Sequence, residues 1–527
     1  MLTGKHLIAG EWVSSSGDAF QSVNPVDGTL LPTVFHEAGS AEVNRAFASA
    51  VDAFNTVRGW KPERFAELLE TISSEIMALG DDLLALASAE SALPFPRLTG
   101  ERGRTCGQLN MFAAMVREGS WVDATIETAL PDRQPLAKPD LRKMLQPLGP
   151  VVVFGASNFP LAFSACGGDS ASALAAGCPV IVKGHPGHPG TSELTAVAVQ
   201  RALEKCKFRA GMFSLLQGRG NELGAALAQH PSAEAVGFTG SLRGGRALFN
   251  LAAARPRPIP VYAEMGSVNP IVILPAAMSE RADALAEGLA GSALLGAGQF
   301  CTKPGHVFLI EGDHTSKFVS ELTSKFNVAA TFTLLNPGIR DAFNKSIAAL
   351  QSQSNVRALV SGEANGSAGT SCYLTETTAQ EWMKNPILHE ETFGPSTLLI
   401  RCTNTQELFE ALAHLEGQLT ATVMIGDGED QILAKATLTA LDKKAGRVVV
   451  NGYPTGVEVC YAMEHGGPYP ATTAPLTTSV GNSAILRFAR PVAYQSVPDA
   501  LLPPQLQRDN PLGITRRVNG VLSKDAA

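Results

Sequence analysis

Strand-like and helix-like segments alternate along the stretch from residue 149 to residue 273. Short runs rich in β-branched residues are each followed by a longer, Ala-rich run, with brief loops between them. Such alternation predicts a parallel sheet with helices packed on its faces. The predicted strands are Val151–Phe154, Val180–Val182, Phe213–Leu216, Ala235–Phe238 and Val261–Ala263, and the predicted helices are Leu161–Ala176, Thr191–Lys205, Glu222–Gln229 and Leu242–Ala254.

Small polar residues mark helix starts in this stretch. Thr191 and Ser192 open one predicted helix and Ser241 precedes another, so these hydroxyls are predicted N-caps. The turn within Phe238–Gly245 also leaves backbone N–H groups free for an anion, which makes it a candidate phosphate site. By contrast, Gly218–Gly224 places its third glycine one residue late for a dinucleotide fingerprint, and a Gly-rich turn explains it equally well.

A second α/β region extends from Ile271 to about Asn451 and includes the strand-like run Arg447–Asn451. The Pro-rich, charged segment Asp132–Leu148 precedes the first sheet, and another Pro-rich segment follows Asn482. The chain therefore combines two α/β regions with two segments of different character.

Length and charge narrow the class of protein. The 527 residues allow two or three domains, and the formal net charge of −7 disfavours nucleic acid and anionic membranes as partners. No apolar run reaches membrane-spanning length, and the first residues lack the features of a signal or transit peptide. We expect a cytoplasmic protein with no nucleic-acid or membrane partner.

Three side chains offer complementary chemistry at the ends of predicted elements. Cys301 follows the apolar, helix-length run Leu285–Ala297, Glu264 ends a strand, and Asn158 follows another strand. A thiol, a carboxylate and an amide can be the nucleophile, general base and oxyanion donor of a reaction at a carbonyl carbon. The sequence thus predicts a reaction at a carbonyl carbon centred on Cys301.

The remaining cysteines and one histidine pair are predicted to be structural. The chain has no Cys-x-x-Cys pair, and large cytosolic proteins seldom form disulfides. His185 and His188 lie in a loop rich in Gly and Pro rather than on a helix face. We predict no metal site.

Together, these motifs resemble those of the aldehyde dehydrogenase superfamily over nearly the whole chain. The resemblance rests on an ordered set of short matches at family spacing. The matching segments are Asn158–Pro160, Lys183, Phe238–Ser241 with Gly245, Glu264–Gly266, Gly298–Cys301 and Glu391–Pro395.

The resemblance implies an α/β fold with two parallel-sheet domains and a small β element for oligomerisation. The dinucleotide-binding domain would comprise residues 1–130 and 149–263, and the catalytic domain residues 264–460. Residues 131–148 and 475–527 would form bridging segments of a homodimer or homotetramer.

The resemblance also implies a mechanism. Cys301 would attack an aldehyde, and the Asn158 amide with the backbone N–H of Cys301 would stabilise the oxyanion. Loss of hydride would leave a thioester, and Glu264 would activate the water that hydrolyses it.

NADP, with NAD also possible, is the implied cofactor. Lys183 would bind the adenosine ribose and a 2′-phosphate, and Glu391 with Phe393 the nicotinamide ribose. Many NAD-preferring members carry a Glu where this chain has Pro186, and losing a carboxylate there removes repulsion against a 2′-phosphate. The remaining candidate cofactor residues are Ser157, Arg219, Gly240, Ser241 and Gly245.

Within the superfamily, the chain is most similar to the branch of 2-oxoglutarate semialdehyde (2,5-dioxopentanoate) dehydrogenases. Phe159 and Phe163 are candidate substrate contacts, and Arg104, with Arg102 beside it, is a candidate cation for a substrate carboxylate. Two departures stand out: Gly266-Ser267-Val268 replaces the Gly-Gly-Lys of many members, and Gly466-Gly467-Pro468 replaces a late Gly-Gly-Tyr-Lys turn.

Three alternatives stay open. An NADP-dependent dehydrogenase of medium- or long-chain aliphatic aldehydes would share the chemistry, with Phe159 and Phe163 lining a more apolar funnel. A CoA-acylating enzyme is a second alternative, although Glu264 suits hydrolysis better. A non-catalytic relative that kept the fold is a third, and the intact set of Cys301, Glu264 and Asn158 argues against it.

Overall fold

Two seven-stranded sheets and one five-stranded sheet organise the chain. The computed structural model describes residues 2–329, 331–362 and 366–527. In the described part, no helix is both long and apolar enough to cross a membrane. The structure also has two short antiparallel strand pairs, Ala19–Phe20 with Phe35–His36 and Phe332–Thr333 with Gly369–Thr370.

The first sheet contains the five strands predicted from the alternating pattern, and all five run parallel. An N-terminal hairpin adds two antiparallel strands at one edge. In spatial order the strands are Val261–Glu264, Ala235–Thr239, Val151–Phe154, Val180–Lys183, Phe213–Leu216, His6–Ile8 and Glu11–Val13. Because parallel strands end at one edge, Lys183, Thr239 and Glu264 lie along the same side of this sheet.

Helices pack on both faces of the first sheet and bury an apolar core against it. The helices are Ser40–Val57, Pro62–Ala78, Gly80–Ser91, Phe95–Glu118, Gly168–Ala176, Pro189–Lys205, Asn221–Gln229 and Leu242–Ala253.

Two helix starts differ from the predictions. The helix predicted from Leu161 begins only at Gly168, because the buried Glu101 carboxylate accepts hydrogen bonds from the backbone N–H groups of Leu161 and Ala162. Thr191 is not an N-cap, since its helix begins two residues earlier and Glu90 accepts hydrogen bonds from its N–H and hydroxyl. The Ser241 cap is confirmed, because its Oγ accepts from the N–H of Gly244.

The second sheet is parallel except for one edge strand. Its strands, in spatial order, are Arg357–Val360, Tyr373–Thr378, Ser396–Cys402, His306–Ile310, Ile271–Ile273, Gln418–Met424 and Ala445–Val450. Helices again cover it: Pro275–Leu294, Thr315–Asn327, Pro337–Gln351, Ala379–Lys384, Thr405–His414 and Gln431–Asp442. The two predicted parallel-sheet units are thus confirmed.

The five-stranded sheet joins two segments that are far apart in the sequence, residues 125–147 and 489–523. Its strands are Ala489–Gln495, Leu141–Pro147, Thr125–Glu127, Arg516–Val518 and Val521–Ser523. The segment bounds predicted for the domains remain predictions.

The two large sheets meet at the connection between Glu264 and Ile271. Glu264 ends an edge strand of the first sheet, and Ile271 begins a central strand of the second. A late segment crosses this junction, because Thr472 forms a β-bridge with Glu264 and the N–H of Met265 donates to the carbonyl of Ala471. The junction therefore brings both sheets and the segment before residue 480 together.

Candidate active site

Cys301 lies on a tight loop after the helix Pro275–Leu294. The loop needs left-handed backbone at Ala297 (φ 58°) and at Gly298 (φ 65°). A Cβ at Gly298 would come within 2.2 Å of the Gly394 carbonyl oxygen, so this position accepts only glycine. The amide of Asn269 donates to the Cys301 carbonyl at 2.8 Å and fixes the loop against the second sheet.

A histidine connects the predicted nucleophile and base. His465 Nε2 lies 2.9 Å from Glu264 Oε1 and 3.4 Å from Cys301 Sγ. The Ser479 hydroxyl donates to Glu264 Oε2 at 2.6 Å, so both carboxylate oxygens are engaged. The side chains of His465 and Glu264 are 1% and 2% exposed. Thiol, imidazole and carboxylate thus form one buried hydrogen-bonded chain.

The protonation of this chain follows from burial and charge. Burial raises the pKa of the Cys301 thiol well above its usual value, and the Glu264 carboxylate raises it further. Burial also opposes ionisation of Glu264, but the charge of His465 and the hydrogen bonds from His465 and Ser479 bring the pKa of Glu264 below its usual value. The resting arrangement is therefore a neutral thiol beside an ionised carboxylate.

Asn158 lies beside the Cys301 loop, where the oxyanion role would place it. Its Nδ2 donates to the Gln299 carbonyl at 3.0 Å, and a second N–H remains on the same nitrogen. Arg97 donates to the Asn158 carbonyl at 2.8 Å. The Arg97 guanidinium also lies 5.0 Å from the ring of Phe159 and 4.7 Å from that of Phe300. Arg97 thus holds this side of the site in place.

A row of aromatic rings leads away from the nucleophile. Phe300, next to Cys301 in the chain, packs edge-on against Phe159 at 5.4 Å, and Phe159 lies 5.2 Å from Phe163. The Arg104 guanidinium lies 5.8 Å from the Phe163 ring. The structure therefore brings together the three side chains predicted to contact substrate.

Lys183 lies at the carboxyl end of its strand, as predicted. Its Nζ donates to the Gly218 carbonyl at 2.8 Å. Burial lowers the pKa of Lys183 to about 8, and the charge of Glu37 partly opposes this shift. Arg219 is exposed and lies 3.9 Å from Glu37, whose oxygens also accept from the N–H groups of Arg219 and Gly220. These polar residues lie together beside the carboxyl ends of the strands of the first sheet.

The predicted phosphate turn has the expected local geometry. Ser241 begins the helix Leu242–Ala253, whose first turn follows the strand Ala235–Thr239 directly. A Cβ at Gly245 would lie 2.7 Å from Met265 Cγ, so glycine lets this helix pack closely on the strand that carries Glu264. At Gly240, the ring of Phe238 occupies the space of a side chain.

Two further cofactor candidates, Ser157 and Pro186, are half-buried residues of loops that follow strands of the first sheet. Near Pro186, the rings of His185 and His188 stack at 5.1 Å, and burial lowers the pKa of both histidines. His185 is therefore neutral and adds no positive charge for a phosphate.

Glu391 lies against the base motif from the second sheet. Its Oε2 would be 2.4 Å from a Cβ at Gly266, so glycine permits the close approach. Burial raises the pKa of Glu391 to about 7 and lowers that of nearby Lys303 to about 8. Lys303 donates to the carbonyls of Thr392 and Ser396, both at 2.9 Å, and Phe393 is half-buried in the same turn.

The sequence analysis missed several residues of this site. His465, Ser479, Lys303 and Glu37 all contact residues that it did identify. His465 directly precedes the glycine pair where the late turn departs from the family pattern, and that departure is a signal that could have drawn attention to it. The sulfur, imidazole nitrogen and carboxylate oxygen of Cys301, His465 and Glu264 lie within 4.8 Å of one another, and we interpret their hydrogen bonds as a proton path.

Comparison with known proteins agrees with this geometry. The profile of the aldehyde dehydrogenase family matches residues 12–468. The chain is 50% identical to alpha-ketoglutaric semialdehyde dehydrogenase 2 of Azospirillum brasilense, over 98% of this chain and 99% of that protein. It is 43% identical to alpha-ketoglutaric semialdehyde dehydrogenase of Acinetobacter baylyi, over 99% of both chains.

Solved structures show the same fold. A 3,6-anhydro-L-galactose dehydrogenase in complex with NAP matches with a TM-score of 0.80 at 20% identity, over 93% of this chain and 99% of that one. A 1-pyrroline-5-carboxylate dehydrogenase from Thermus with bound NAD matches with a TM-score of 0.78 at 20% identity, over 93% of this chain and 92% of that one. By its full-length relatives and its fold, this chain is a member of the aldehyde dehydrogenase family.

Proposed function

We propose that this enzyme oxidises 2,5-dioxopentanoate (2-oxoglutarate semialdehyde) to 2-oxoglutarate with NAD(P). The substrate follows from two full-length relatives that carry this activity in their names. The chemistry rests on one observation, the buried chain that links Cys301 Sγ through His465 to Glu264.

The first step is proton removal from a thiol that does not ionise by itself. The Glu264 carboxylate, which accepts from the Nε2–H of His465 and from the thiol, takes the Cys301 proton while Sγ attacks the aldehyde carbon. The tetrahedral oxyanion receives hydrogen bonds from the Asn158 side chain and from the backbone N–H of Cys301. Arg97 holds the Asn158 segment next to the Cys301 loop through its hydrogen bond to the Asn158 backbone carbonyl.

Bound NAD(P) supplies the hydride acceptor, which brings the carbon on Cys301 to the oxidation level of a thioester. Glu264, once it has released the thiol proton to solvent, removes a proton from water, and the hydroxide adds to the thioester carbon. Collapse breaks the C–S bond, and the thiolate recovers a proton from Glu264. The hydrogen bond from Ser479 keeps Glu264 ionised, and thus basic, in its buried position.

The residues along the sheet edge fit a pyridine dinucleotide. Lys183 and the N-terminus of the helix Leu242–Ala253 provide positive charge for phosphates, and Glu391 provides a carboxylate for ribose hydroxyls. We propose a preference for NADP, because Pro186 cannot repel a 2′-phosphate. Backbone N–H groups of Arg219 and Gly220 engage the carboxylate of Glu37.

Assembly and location are part of the same proposal. We assign nucleotide binding to residues 1–130 and 149–263 and catalysis to residues 264–460. Residues 131–148 and 475–527 would carry homodimer or homotetramer contacts, and Val521 and Leu522 in their sheet are 66% and 62% exposed. Eight free thiols suit the reducing cytoplasm.

A substrate panel with both cofactors tests the function. We expect kcat/KM for 2,5-dioxopentanoate to exceed the values for succinate semialdehyde, hexanal and decanal, and turnover to need no CoA. Cys301→Ala is the control and should reduce no cofactor. A kcat/KM that rises from hexanal to decanal and exceeds that of the dioxo acid would establish the long-chain alternative. No turnover of any aldehyde would establish the non-catalytic one.

A further inference from the structure

Two arginines from different elements of the fold donate hydrogen bonds to the same short segment, Pro454–Val457. Arg104 belongs to the helix Phe95–Glu118 beside the first sheet, and its Nη1 donates to the Val457 carbonyl. Arg447 belongs to the edge strand Ala445–Val450 of the second sheet. Its Nη1 donates to the Gly456 carbonyl and its Nη2 to the Pro454 carbonyl. The segment thus places both guanidinium groups at the junction of the two sheets.

Each guanidinium has at least one buried N–H group without a hydrogen-bond acceptor. Among the residues that the structure describes, none accepts a hydrogen bond from Nε or Nη2 of Arg104, or from Nε of Arg447. Nε and Nη2 form one side of the guanidinium fork, whose two parallel N–H groups match the two oxygens of a carboxylate. Arg447 offers a single N–H instead. Buried donors without acceptors are unfavourable, so a ligand that supplies three acceptor atoms gains affinity here.

Arg104 lies beside the aromatic row next to Cys301, and the segment Pro454–Val457 joins Arg447 to Arg104. Arg104 lies against Phe163, at the far end of the aromatic row that starts beside Cys301. Burial lowers the pKa of both Arg104 and Arg447, and in each case the Cys301 thiolate charge opposes the shift. Both guanidinium groups therefore lie within electrostatic reach of the nucleophile.

Neighbouring charged groups leave the fork available. One carboxylate oxygen of Glu101, which lies one turn before Arg104, accepts hydrogen bonds from the N–H groups of Leu161 and Ala162. Glu458 is exposed, and Arg97 donates through Nη2 to the Asn158 backbone carbonyl and packs against two rings, although its Nη1 is also buried without an acceptor among the described residues. Arg102, although on the same helix, points elsewhere and donates to the Gly80 carbonyl at 2.7 Å.

We propose that Arg104 and Arg447 form a subsite for the 2-oxo acid end of the substrate. The Nε–Nη2 fork of Arg104 binds the carboxylate, and Nε of Arg447 donates to the neighbouring keto oxygen. The proposal rests on the proposed function and deepens it, because it assigns the two polar groups that separate this substrate from a plain aldehyde to two different residues.

Three aldehydes of equal chain length test the assignment. 2,5-Dioxopentanoate, 5-oxopentanoate and pentanal differ by the keto group and then by the carboxylate. In Arg104→Met, the ratio of kcat/KM for 5-oxopentanoate to that for pentanal should fall about 30-fold or more. In Arg447→Met, the ratio for 2,5-dioxopentanoate to 5-oxopentanoate should fall about tenfold. Arg102→Met is the matched control, and both of its ratios should stay within twofold of wild type.

Ratios cancel a general loss of active enzyme, so partial unfolding does not imitate the result. If Arg104→Met does not fold, Arg104→Lys keeps the charge without the fork and should lower the same ratio. A wild-type measurement adds a second readout, since 2-oxoglutarate should inhibit pentanal oxidation more strongly than glutarate does.

Two outcomes overturn the subsite, namely equal losses for all three aldehydes in the Arg104 variants, or an Arg447→Met loss that does not depend on the keto group. A wild type that prefers pentanal to both acids would instead refute the proposed function. The two failures are therefore distinguishable.

Discussion

The surroundings of Cys301, the proposed nucleophile, keep its thiol protonated. Burial disfavours the charged form of several groups of the site, since it raises the pKa of Glu391 to about 7 and lowers that of Lys183 to about 8. For the Cys301 thiol, burial and the Glu264 carboxylate act in the same direction. The thiolate must therefore form by local proton transfer, and the Glu264 carboxylate, held beside the thiol by the Nε2–H of His465, is the acceptor.

Alkylation of Cys301 should report this arrangement. Because a raised pKa leaves little thiolate at neutral pH, the rate with iodoacetamide should rise through pH 9, the usual thiol range, without a plateau. His465→Gln should slow alkylation at pH 7 about tenfold, because Glu264 loses the N–H that holds its carboxylate beside the thiol. Mass spectrometry of the Cys301 peptide gives the rate, and the half-buried Cys460 in the same sample is the control. Unchanged Cys301 rates in the variant would exclude His465 from activation.

Glu264 should limit turnover mainly after hydride transfer. In Glu264→Gln, we expect a slower single-turnover burst of reduced cofactor to survive, because buffer can take the thiol proton, while the steady-state rate falls about 10²- to 10⁴-fold, since the thioester is no longer hydrolysed. Stopped-flow absorbance of reduced cofactor measures both phases. Loss of the burst amplitude together with the steady-state rate would show that Glu264 is needed mainly before hydride transfer.

At the scale of elements, the sequence predicted the strand bounds that depend on residues close together in the chain. The five strands of the first sheet lie within a residue of their predicted bounds, because each is a short β-branched run between turns. The helix predicted from Leu161 failed because the Glu101 side chain, about 60 residues earlier in the sequence, holds that backbone in a turn. The role of His465 was equally hidden, since 164 residues separate it from Cys301 and only the fold joins them.

The loop between the strand Val180–Lys183 and the helix Pro189–Lys205 should set the cofactor preference. Pro186→Glu introduces a carboxylate near Lys183, where it would repel a 2′-phosphate and accept ribose hydroxyls. We expect the ratio of kcat/KM for NAD to that for NADP to rise about tenfold, or about 1.4 kcal/mol. Pro186→Gln, similar in size but uncharged, is the matched control. An equal change in both variants would show that losing proline, rather than gaining charge, alters the preference.

At the scale of the whole molecule, the two sheets divide the work. Lys183 and the phosphate turn belong to the first sheet, whereas the Cys301 loop follows a helix of the second. Glu264 stands at the junction, and the bridge to Thr472 with the hydrogen bonds from His465 and Ser479 ties the late segment to it. If the proposed roles hold, cofactor binding and nucleophilic attack use different parts of the fold, and we expect them to separate by mutation.

Thermal unfolding with and without NADP should show that separation. A ligand at 100 times its Kd stabilises the native state by about 2.7 kcal/mol, which for a chain of this length raises Tm by about 2 °C. Cys301→Ala should abolish turnover and keep the full shift, because the thiol acts on the aldehyde. Lys183→Met should lose most of the shift, because it removes a cation from the nucleotide side. A Cys301→Ala protein that NADP no longer stabilises would mean that the thiol also supports the bound cofactor, and the division between the sheets would not hold.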